Sequence, residues 1–271
     1  MRRLVLCIAL VCLGYLGCTW WSDLARPDTG FRMAALQVPK RAGQFSETDR
    51  ADLFVPSTGN PTYSVPADTV DAATLHDLGR YRWHSYQPET GAGPFPVALL
   101  FHGAGRDGLS MIDMWRDVAD QKGVLLIALD GRDQNWSAER VEPTILHDII
   151  AHEHVAAHID PSRVYLFGHS NGAAYVQALI NQTEGPWRAA ALHAGFADPA
   201  SAIIPETPKP IRYYLGSRDH IFQTDAARYV ANDLATKGHD VDLHVIPDHT
   251  HWFYDAGPAI AADAWTWLES Q

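Results

Sequence analysis

The run RVYLFGHSNGAA at residues 163–174 constrains this chain more than any other feature. It joins an apolar strand pattern, a Gly-x-Ser-x-Gly turn centred on Ser170 and a helix pattern of small residues. A serine on such a sharp turn projects its hydroxyl away from the sheet, and Gly168 and Gly172 avoid clashes between closely packed backbone segments. The helix would direct its N-terminal amides at the space above Ser170, where negative charge develops during acyl transfer. The run therefore predicts a nucleophile elbow.

The remainder of the chain alternates between apolar strand patterns and helix patterns. Strand patterns lie at 97–101, 124–129, 164–167, 189–192, 211–215 and 241–246, and helix patterns at 109–121, 143–158, 171–182, 224–237 and 258–269. Continuously apolar strands are covered on both faces, and strands that alternate with helices are joined by crossover connections. The pattern predicts an α/β fold with a mostly parallel central sheet and helices on both faces, in one domain.

Candidate partners for Ser170 follow later strand patterns. A serine hydroxyl needs a histidine as its base, and a carboxylate orients that histidine. After a nucleophile elbow the chain order is serine, acid, histidine, and the carboxyl ends of parallel strands meet at one edge of the sheet. Asp219 and, further on, His249 and His251 each follow the end of a strand pattern. We therefore expect Asp219 to orient one of these two histidines beside Ser170.

The choice between the two histidines depends on the residues around them. His251 is the preferred base, because the aromatic Trp252 directly after it would pack the loop and fix the imidazole. His249 lies closer to the strand end and stays an alternative base on geometric grounds. Asp225 and Asp248 are weaker candidates for the acid, since Asp225 fits a helix start and Asp248 is too near the histidines in sequence to orient either easily.

An oxyanion hole requires two backbone amides that point at one position. One is expected from Asn171, the residue after the nucleophile. The other is expected from the segment FHGAG at 101–105, which follows an apolar strand pattern and whose glycines allow the backbone to approach a substrate closely. Ala104 is the preferred donor in that segment, and Gly103 is the alternative.

Aromatic side chains near the predicted strand ends are candidates for substrate contact. Trp136 follows the strand pattern at 124–129, Trp252 and Phe253 adjoin the preferred base, and His169 lies inside the elbow. Rings in strand-end loops stack on ligands or simply pack the loops, and the sequence leaves both roles open.

These motifs resemble those of an α/β-hydrolase, and more narrowly those of the secreted polyhydroxybutyrate-depolymerase and feruloyl-esterase-like carboxylesterases. The resemblance spans residues 78–270 and rests on LFHG at 100–103, IDPSRVY at 159–165, GHSNG at 168–172, GSRD at 216–219 and HW at 251–252. The chain departs from this family at Ala173, where a further glycine is usual, and in the two neighbouring histidines of the last loop.

The resemblance implies a serine carboxylesterase that forms an acyl-enzyme, needs no cofactor and acts on a small-molecule or polymeric ester. The segment 195–210 is short, so no large lid is expected there. The residues by themselves indicate only acyl transfer. A serine peptidase of the prolyl-oligopeptidase type shares the fold and triad, but it normally has a large extra domain for which we expect no room. A non-catalytic binding module on the same fold is the other alternative.

Histidines in the helix pattern at 143–158 raise the alternative of a metal site. His147, His154 and His158 share one helical stripe, because they are spaced by seven and then four residues. His154 and His158 have the spacing of metal ligands, but the His-Glu-x-x-His motif is absent and no third ligand lies at a suitable distance in the sequence. We therefore expect no catalytic metal.

The first 18 residues have the features of a targeting signal. Two arginines precede the apolar stretch 4–17, which is short for a membrane span. The segment YLGC at 15–18 resembles a bacterial lipobox, although Tyr15 stands where leucine is usual. It predicts acylation of Cys18 and a protein anchored in the cell envelope, with ordinary signal cleavage and free secretion as the alternative.

The rest of the chain is acidic and contains no cysteine. Residues 19–75 are rich in polar residues and proline without sustained periodicity, which predicts an N-terminal tether or wrapping segment before a hydrolase domain at 76–271. The formal net charge of −11 argues against nucleic-acid binding, because phosphate neutralisation requires Lys and Arg. All three cysteines lie within the first 18 residues, so no disulfide framework is expected beyond them.

Overall fold

The computed structural model describes residues 32–33, 41–56 and 62–271. The predicted signal segment 1–18, with its lipobox, lies outside the described residues, so its cleavage and acylation stay predictions. Among the described helices, none combines the length and the apolar character needed to cross a lipid bilayer.

A mixed sheet of nine strands forms the centre of the described part of the chain. In their spatial order, the strands are β2 (Phe45–Asp49), β11 (Val241–Ile246), β10 (Ile211–Gly216), β9 (Trp187–His193), β7 (Ile159–His169), β5 (Phe95–Phe101), β6 (Leu125–Asp130), β4 (Arg82–Tyr86) and β3 (Thr74–Asp77). Neighbours from β2 to β6 are parallel, whereas β4 runs antiparallel to both of its neighbours. Two short strands, β1 (Arg32–Met33) and β8 (Thr183–Glu184), pair antiparallel outside this sheet.

Helices cover both faces of the sheet. One face carries α3 (Pro143–Ala156), α4 (Asn171–Gln182) and α5 (Thr224–Thr236), and the other carries α2 (Gly108–Lys122) and α6 (Gly257–Leu268), with the short α1 (Ala67–Ala72) against α2. Alternation along each strand supplies both layers: in β5, Val97 and Leu99 pack with the first set of helices, and Ala98 and Leu100 with the second. Because both faces are buried, these strands are apolar throughout, and the predicted α/β fold class is confirmed.

Local sequence signals set the bounds of α2, which follows the loop beside Ser170. Asp107 precedes the helix and its Oδ1 accepts a hydrogen bond from Ser110 N at 3.1 Å, as N-cap residues do. Gly123 ends the helix with φ 65°, a left-handed conformation that glycine adopts without strain. The loop at 101–107 is therefore held between a buried strand and a capped helix.

The sheet begins earlier in the chain than the predicted domain boundary at residue 76. β2 adds a parallel strand next to β11, and β3 pairs with β4 at the opposite edge. Most side chains of β2 and β3 are exposed, because each strand lies at an edge of the sheet, so they carry no apolar run that the sequence could display. These described parts of the predicted N-terminal tether or wrapping segment pair with strands of the central sheet.

Candidate active site

Ser170 lies in the turn between β7 and α4. Its φ of 54° and ψ of −119° form a left-handed conformation that is strained for a residue with a side chain. A Cβ on Gly168 would lie 2.5 Å from the carbonyl oxygen of Gly172, and one on Gly172 would lie 2.3 Å from the carbonyl oxygen of Phe101. Both glycines are therefore required by close backbone packing, which joins β5, β7 and α4 beneath Ser170.

Ser170, His251 and Asp219 form a continuous hydrogen-bonded row, here called the candidate triad. His251 Nε2 lies 2.8 Å from Ser170 Oγ, and His251 Nδ1 lies 2.8 Å from Asp219 Oδ2. Asp219 follows β10 and His251 follows β11, so two neighbouring parallel strands bring these side chains to the edge of the sheet where β7 also ends. With Nδ1–H donating to the carboxylate, Nε2 can accept the serine proton.

The surroundings of Asp219 favour its ionised form. Its side chain is fully buried, and burial by itself raises the pKa of a carboxyl group. Hydrogen bonds from His251 and from the backbone N–H groups of Phe222 and Ile221 outweigh burial, so the pKa of Asp219 lies below its ordinary value. The carboxylate can therefore orient His251 and stabilise a positive charge on its ring. Phe222 also stacks on the His251 ring, with centroids 5.8 Å apart.

His249 belongs to a second row of side chains, here called the histidine row. His249 Nε2 lies 3.0 Å from His193 Nε2, and His193 Nδ1 lies 2.9 Å from His169 Nδ1. Burial lowers the pKa of His249 to about 4, and it lowers the pKa values of His193 and His169 well below their ordinary value. Each neutral ring has one donor and one acceptor nitrogen, so each can donate to the next. The fold thus brings His251 to Ser170, and it brings His249 to His193.

The amides expected to form an oxyanion hole lie in the two loops beside Ser170. In the described part of the chain, neither Asn171 N nor Ala104 N has a hydrogen-bond acceptor. Gly103 lies against the elbow, because a Cβ on it would be 3.3 Å from the Cβ of Ser170. Gly103 N likewise has no acceptor within the described residues, so each loop offers at least one unpaired N–H group for a developing oxyanion, and Ala104 and Gly103 stay alternatives in the first loop.

Trp136 connects these two loops through hydrogen bonds. Its backbone N–H donates to Asn171 Oδ1 at 2.6 Å, and its carbonyl oxygen accepts from Asn171 Nδ2 at 3.0 Å. Its indole N–H donates to the carbonyl oxygen of His102 at 2.9 Å, directly before Gly103. Trp136 lines a neighbouring cavity and not the one beside Ser170. Of the two roles that the sequence leaves open, these hydrogen bonds correspond to packing of the loops.

The cavity beside Ser170 has a volume of about 470 Å³, and both Trp252 and His169 line it. Phe253, the remaining candidate for substrate contact, is fully buried and packs on the rings of His169 and His193, so it cannot reach a substrate.

The connection 194–210 between β9 and β10 contains one 3₁₀ turn, Pro199–Ser201, and no large lid covers this cavity within the described residues.

Arg106 lines the same cavity, although the sequence patterns do not single it out. Its guanidinium lies over the rings of Tyr254, Tyr63 and Trp252, with distances to the ring centroids of 4.8, 5.5 and 5.8 Å. The signal available in the sequence was its position directly after FHGAG. Its ring partners come from distant parts of the chain, so only the fold reveals this cluster.

Side chains that could bind a metal ion lie away from the candidate triad. The predicted histidine stripe of α3 does not bring its three rings together, and His154 Nδ1 lies 3.0 Å from the carbonyl oxygen of Ile159. Among the described residues, one set of three ligand-type side chains has its atoms within 4.8 Å of one another, and it consists of His76, His152 and Glu153. This set is at the outer edge of the sheet.

Comparison with protein families identifies the family to which this chain belongs. The model of the dienelactone hydrolase family matches residues 123–268, which is more than half of the chain. The matched span contains the elbow, Asp219 and both histidines of the loop after β11.

Individual proteins are similar at lower identity. NocK of Nocardia uniformis subsp. tsuyamanensis, which is named as an esterase, is 27% identical over 205 residues, covering 69% of this chain and 58% of NocK. Polyamine aminopropyltransferase 1 of Hyperthermus butylicus is 27% identical over 192 residues, covering 70% of this chain and 61% of that protein. The chain thus spans about three fifths of these curated relatives. A carboxylesterase structure from Mesorhizobium loti has a similar fold, with a TM-score of 0.57 and 19% identity over 74% of this chain and 100% of the esterase.

Proposed function

Because this chain belongs to the dienelactone hydrolase family and has an α/β-hydrolase fold, we propose that it hydrolyses carboxylic esters with Ser170 as the nucleophile. One observation carries this proposal: His251 lies 2.8 Å from both Ser170 Oγ and Asp219 Oδ2. A serine hydroxyl is a poor nucleophile near neutral pH, and an imidazole oriented by a carboxylate is the arrangement that activates it. A binding module has no need for this arrangement.

The proposed reaction has two steps. Ser170 Oγ adds to the ester carbonyl carbon while its proton moves to His251 Nε2, and the amides of Asn171 and Ala104, or of Asn171 and Gly103, stabilise the oxyanion. The tetrahedral species then collapses, the bond to the alcohol oxygen breaks, and the imidazolium gives its proton to the leaving alcohol. In the second step a water molecule transfers a proton to His251 and attacks the acyl carbon. The second tetrahedral species collapses, the bond between the acyl carbon and Ser170 Oγ breaks, and His251 returns the proton to Ser170 Oγ as the acid product leaves.

The substrate class is proposed more narrowly as that of polyhydroxybutyrate-depolymerase and feruloyl-esterase-like enzymes. Support comes from the segment IDPSRVY before the elbow, in which Asp160 binds the Ser162 N–H at 2.9 Å and Arg163 Nε at 2.8 Å and so fixes the beginning of β7. The cavity of about 470 Å³ is large enough for a small ester or one end of a polymer. Since no large lid covers this cavity within the described residues, the rate should not jump once the substrate exceeds its solubility, and such a jump would contradict an open site.

Labelling with a fluorophosphonate probe tests the nucleophile. We expect the wild-type protein to be labelled with and without a chelator, and Ser170→Ala to remain unlabelled. Equal labelling of Ser170→Ala would remove Ser170 from the mechanism, and labelling abolished by the chelator would favour a metallohydrolase.

A panel of acyl esters and peptides distinguishes esterase from peptidase. We expect turnover of the esters, with loss of turnover in Ser170→Ala. Faster cleavage of the peptides would favour the serine peptidase alternative. Labelling without turnover of any ester or peptide would favour a binding module.

The location of the protein is proposed from the sequence of its first residues. We propose that Cys18 is acylated and anchors the protein in the cell envelope. Wild-type protein should then partition with membranes, and Cys18→Ser should fail to mature normally. A soluble mature protein with an unmodified N-terminus at another residue would favour free secretion instead.

A further inference from the structure

Three side chains with metal-binding atoms converge where α3 packs against the outer edge of the sheet. His76 lies on the edge strand β3, and His152 and Glu153 are consecutive residues of α3. His76 Nε2 lies 3.3 Å from Glu153 Oε1, and His152 Nδ1 lies 3.6 Å from the same oxygen. All three ligand atoms lie within 4.8 Å of one another.

Glu153 is the unusual member of this cluster. Its side chain is only 1% exposed, and its Oε1 accepts a hydrogen bond from the indole N–H of Trp83 at 2.7 Å. Within the described residues, its ion-pair partners are the two imidazoles, and neither lysine nor arginine contacts it. A buried carboxylate is costly unless a positive charge compensates it.

We propose that His76, His152 and Glu153 bind a zinc ion. Zinc binds imidazole nitrogens and carboxylate oxygens at about 2.0–2.2 Å with tetrahedral geometry, which separates neighbouring ligand atoms by roughly 3.3–3.5 Å. The separations of 3.3 and 3.6 Å from Glu153 to the two histidines are close to this value. The cation would also neutralise the buried carboxylate.

The surroundings of the cluster orient its ligands. The Trp83 N–H fixes the Glu153 carboxylate, as hydrogen-bond donors around metal sites commonly do. The His76 ring stacks on Trp83 with centroids 4.7 Å apart and an angle of 6° between the planes. Ser85 Oγ lies 2.8 Å from His76 Nε2, and metal binding would replace this hydrogen bond. The His152 side chain is 41% exposed, so water can reach the fourth coordination position.

The position of the cluster assigns the zinc a structural role. β3 is four strands away from β7, which is about 19 Å at the usual spacing between strands. The ion is therefore too far from Ser170 to take part in ester hydrolysis. It would tie the exposed edge strand β3 to α3 and so protect that edge from opening. This inference does not depend on the proposed esterase activity.

Titration of the metal-free full chain with Zn²⁺ tests the site by calorimetry. We compare the wild-type protein with His152→Ala and with His147→Ala, which removes an exposed histidine from the same helix. His152 is also partly exposed, so its loss should leave the fold intact. The cysteines near the N-terminus and the other histidines are the same in all three proteins, so their binding of zinc cancels in the comparison.

We expect His152→Ala to bind zinc at least about 10²-fold more weakly at this site, since removal of even an outer partner of a metal ligand costs about 10–100-fold in affinity. His147→Ala should match the wild type. Zn²⁺ should raise the Tm of the wild type and of His147→Ala only, and Mg²⁺, which prefers oxygen ligands, should not.

Two further measurements address the carboxylate and the geometry. Glu153→Gln keeps an acceptor for the Trp83 N–H but removes the charge, and it should lose the site as well. Co²⁺ in the wild type should give the visible absorption of a tetrahedral complex, and His152→Ala should not. Equal zinc affinity in wild type and His152→Ala, or no tetrahedral Co²⁺ spectrum in the wild type, would overturn the proposal.

Discussion

His249 and His251 lie two residues apart in the loop after β11 and have opposite environments. The His251 side chain is 18% exposed and contacts Ser170 and Asp219. His249 is buried against His193, and its pKa of about 4 keeps it neutral near physiological pH. The buried His249 ring can hold the loop in place, but its Nε2 contacts His193 and not Ser170 Oγ, so it is not positioned to receive the serine proton.

Replacement of each histidine by alanine separates these roles. We expect His251→Ala to reduce kcat by on the order of 10⁴-fold or more, comparable to Ser170→Ala, because members of a triad act as one unit. His249→Ala should reduce kcat by roughly tenfold to a hundredfold, because it loosens the loop that positions the base. Steady-state kinetics, with circular dichroism as the control for folding, measure both. The reverse order of losses would make His249 the base.

Buried neutral histidines should also make the fold sensitive to acid. His239 has a pKa of about 4 because it is buried, and its Nε2 lies 3.1 Å from Asn181 Nδ2. A free histidine titrates near 6.5, so the unfolded chain binds the proton first as the pH falls. The contribution of the neutral His239 ring to the free energy of unfolding is complete above about pH 6.5. It is lost as the pH falls toward 4, by about 1.4 kcal/mol per pH unit.

Denaturant unfolding at a series of pH values between 8 and 4.5 measures this dependence. His239→Gln should flatten the slope below pH 6.5 by about 1.4 kcal/mol per pH unit, because the group that titrates only in the unfolded state is gone. The exposed His220→Gln is the control and should keep the wild-type slope. An unchanged slope in His239→Gln would show that this ring does not contribute.

At the scale of elements, the elbow depends on the contact of α4 with the end of β5. Gly172, in the first turn of α4, leaves no space for a side chain, because a Cβ would lie 2.3 Å from the carbonyl oxygen of Phe101. Any larger residue must push the beginning of α4 away from β5. Asn171 N and the loop that carries Ala104 would then separate, although neither residue is changed.

Gly172→Ala should therefore lower both stability and activity. We expect a loss of about 1–3 kcal/mol in the free energy of unfolding, the usual cost of overpacking, together with a lower kcat. Ala174→Gly in the same turn is the matched control, which should cost about 1 kcal/mol through helix propensity while kcat is retained. Wild-type kcat in Gly172→Ala would mean that the oxyanion loops tolerate this displacement.

At the scale of the whole molecule, ion pairs join the segment 41–56 to α6 and to the residue before β11. Arg50, directly after β2, contacts Asp263 of α6 and Asp52 at 2.7 Å each, and its Nη1 lies 3.1 Å from His244 of β11. The side chains of Arg50 and Asp263 are about four fifths buried. Arg41, in the same segment as Arg50, pairs with Asp240, but the side chains of Arg41 and Asp240 are largely exposed.

Arg50→Met should destabilise the protein without changing its chemistry. The largely buried Asp263 would lose a charged partner, so we expect a loss of about 1–3 kcal/mol in the free energy of unfolding, between the values for exposed and buried pairs. Arg41→Met is the matched control and should unfold like the wild type, because solvent screens the exposed pair. Thermal unfolding and kcat measure the two properties. Equal stability of both variants would show that the ion pairs of Arg50 contribute little to the stability of the fold.

The sequence by itself determined the features that are local along the chain. Apolar runs and small-residue helix patterns are properties of neighbouring residues, so the central strands and α2 to α6 could be predicted with their bounds nearly correct. The elbow around Ser170 could be predicted for the same reason, because the two glycines that this strained turn requires lie within five consecutive residues of the sequence. Strand order along the chain then predicted that Asp219, His249 and His251 share one edge of the sheet.

Only the tertiary structure decided which side chains meet. One residue, Thr250, separates His249 from His251, and the turn there, which follows Asp248 with its φ of 60°, directs one ring into the core and the other to Ser170. Edge strands such as β2 and β3 expose most of their side chains, so no apolar pattern marks them. Contacts between distant segments, such as His76 with Glu153, depend on strand pairing and helix packing across the whole fold, which no local pattern encodes.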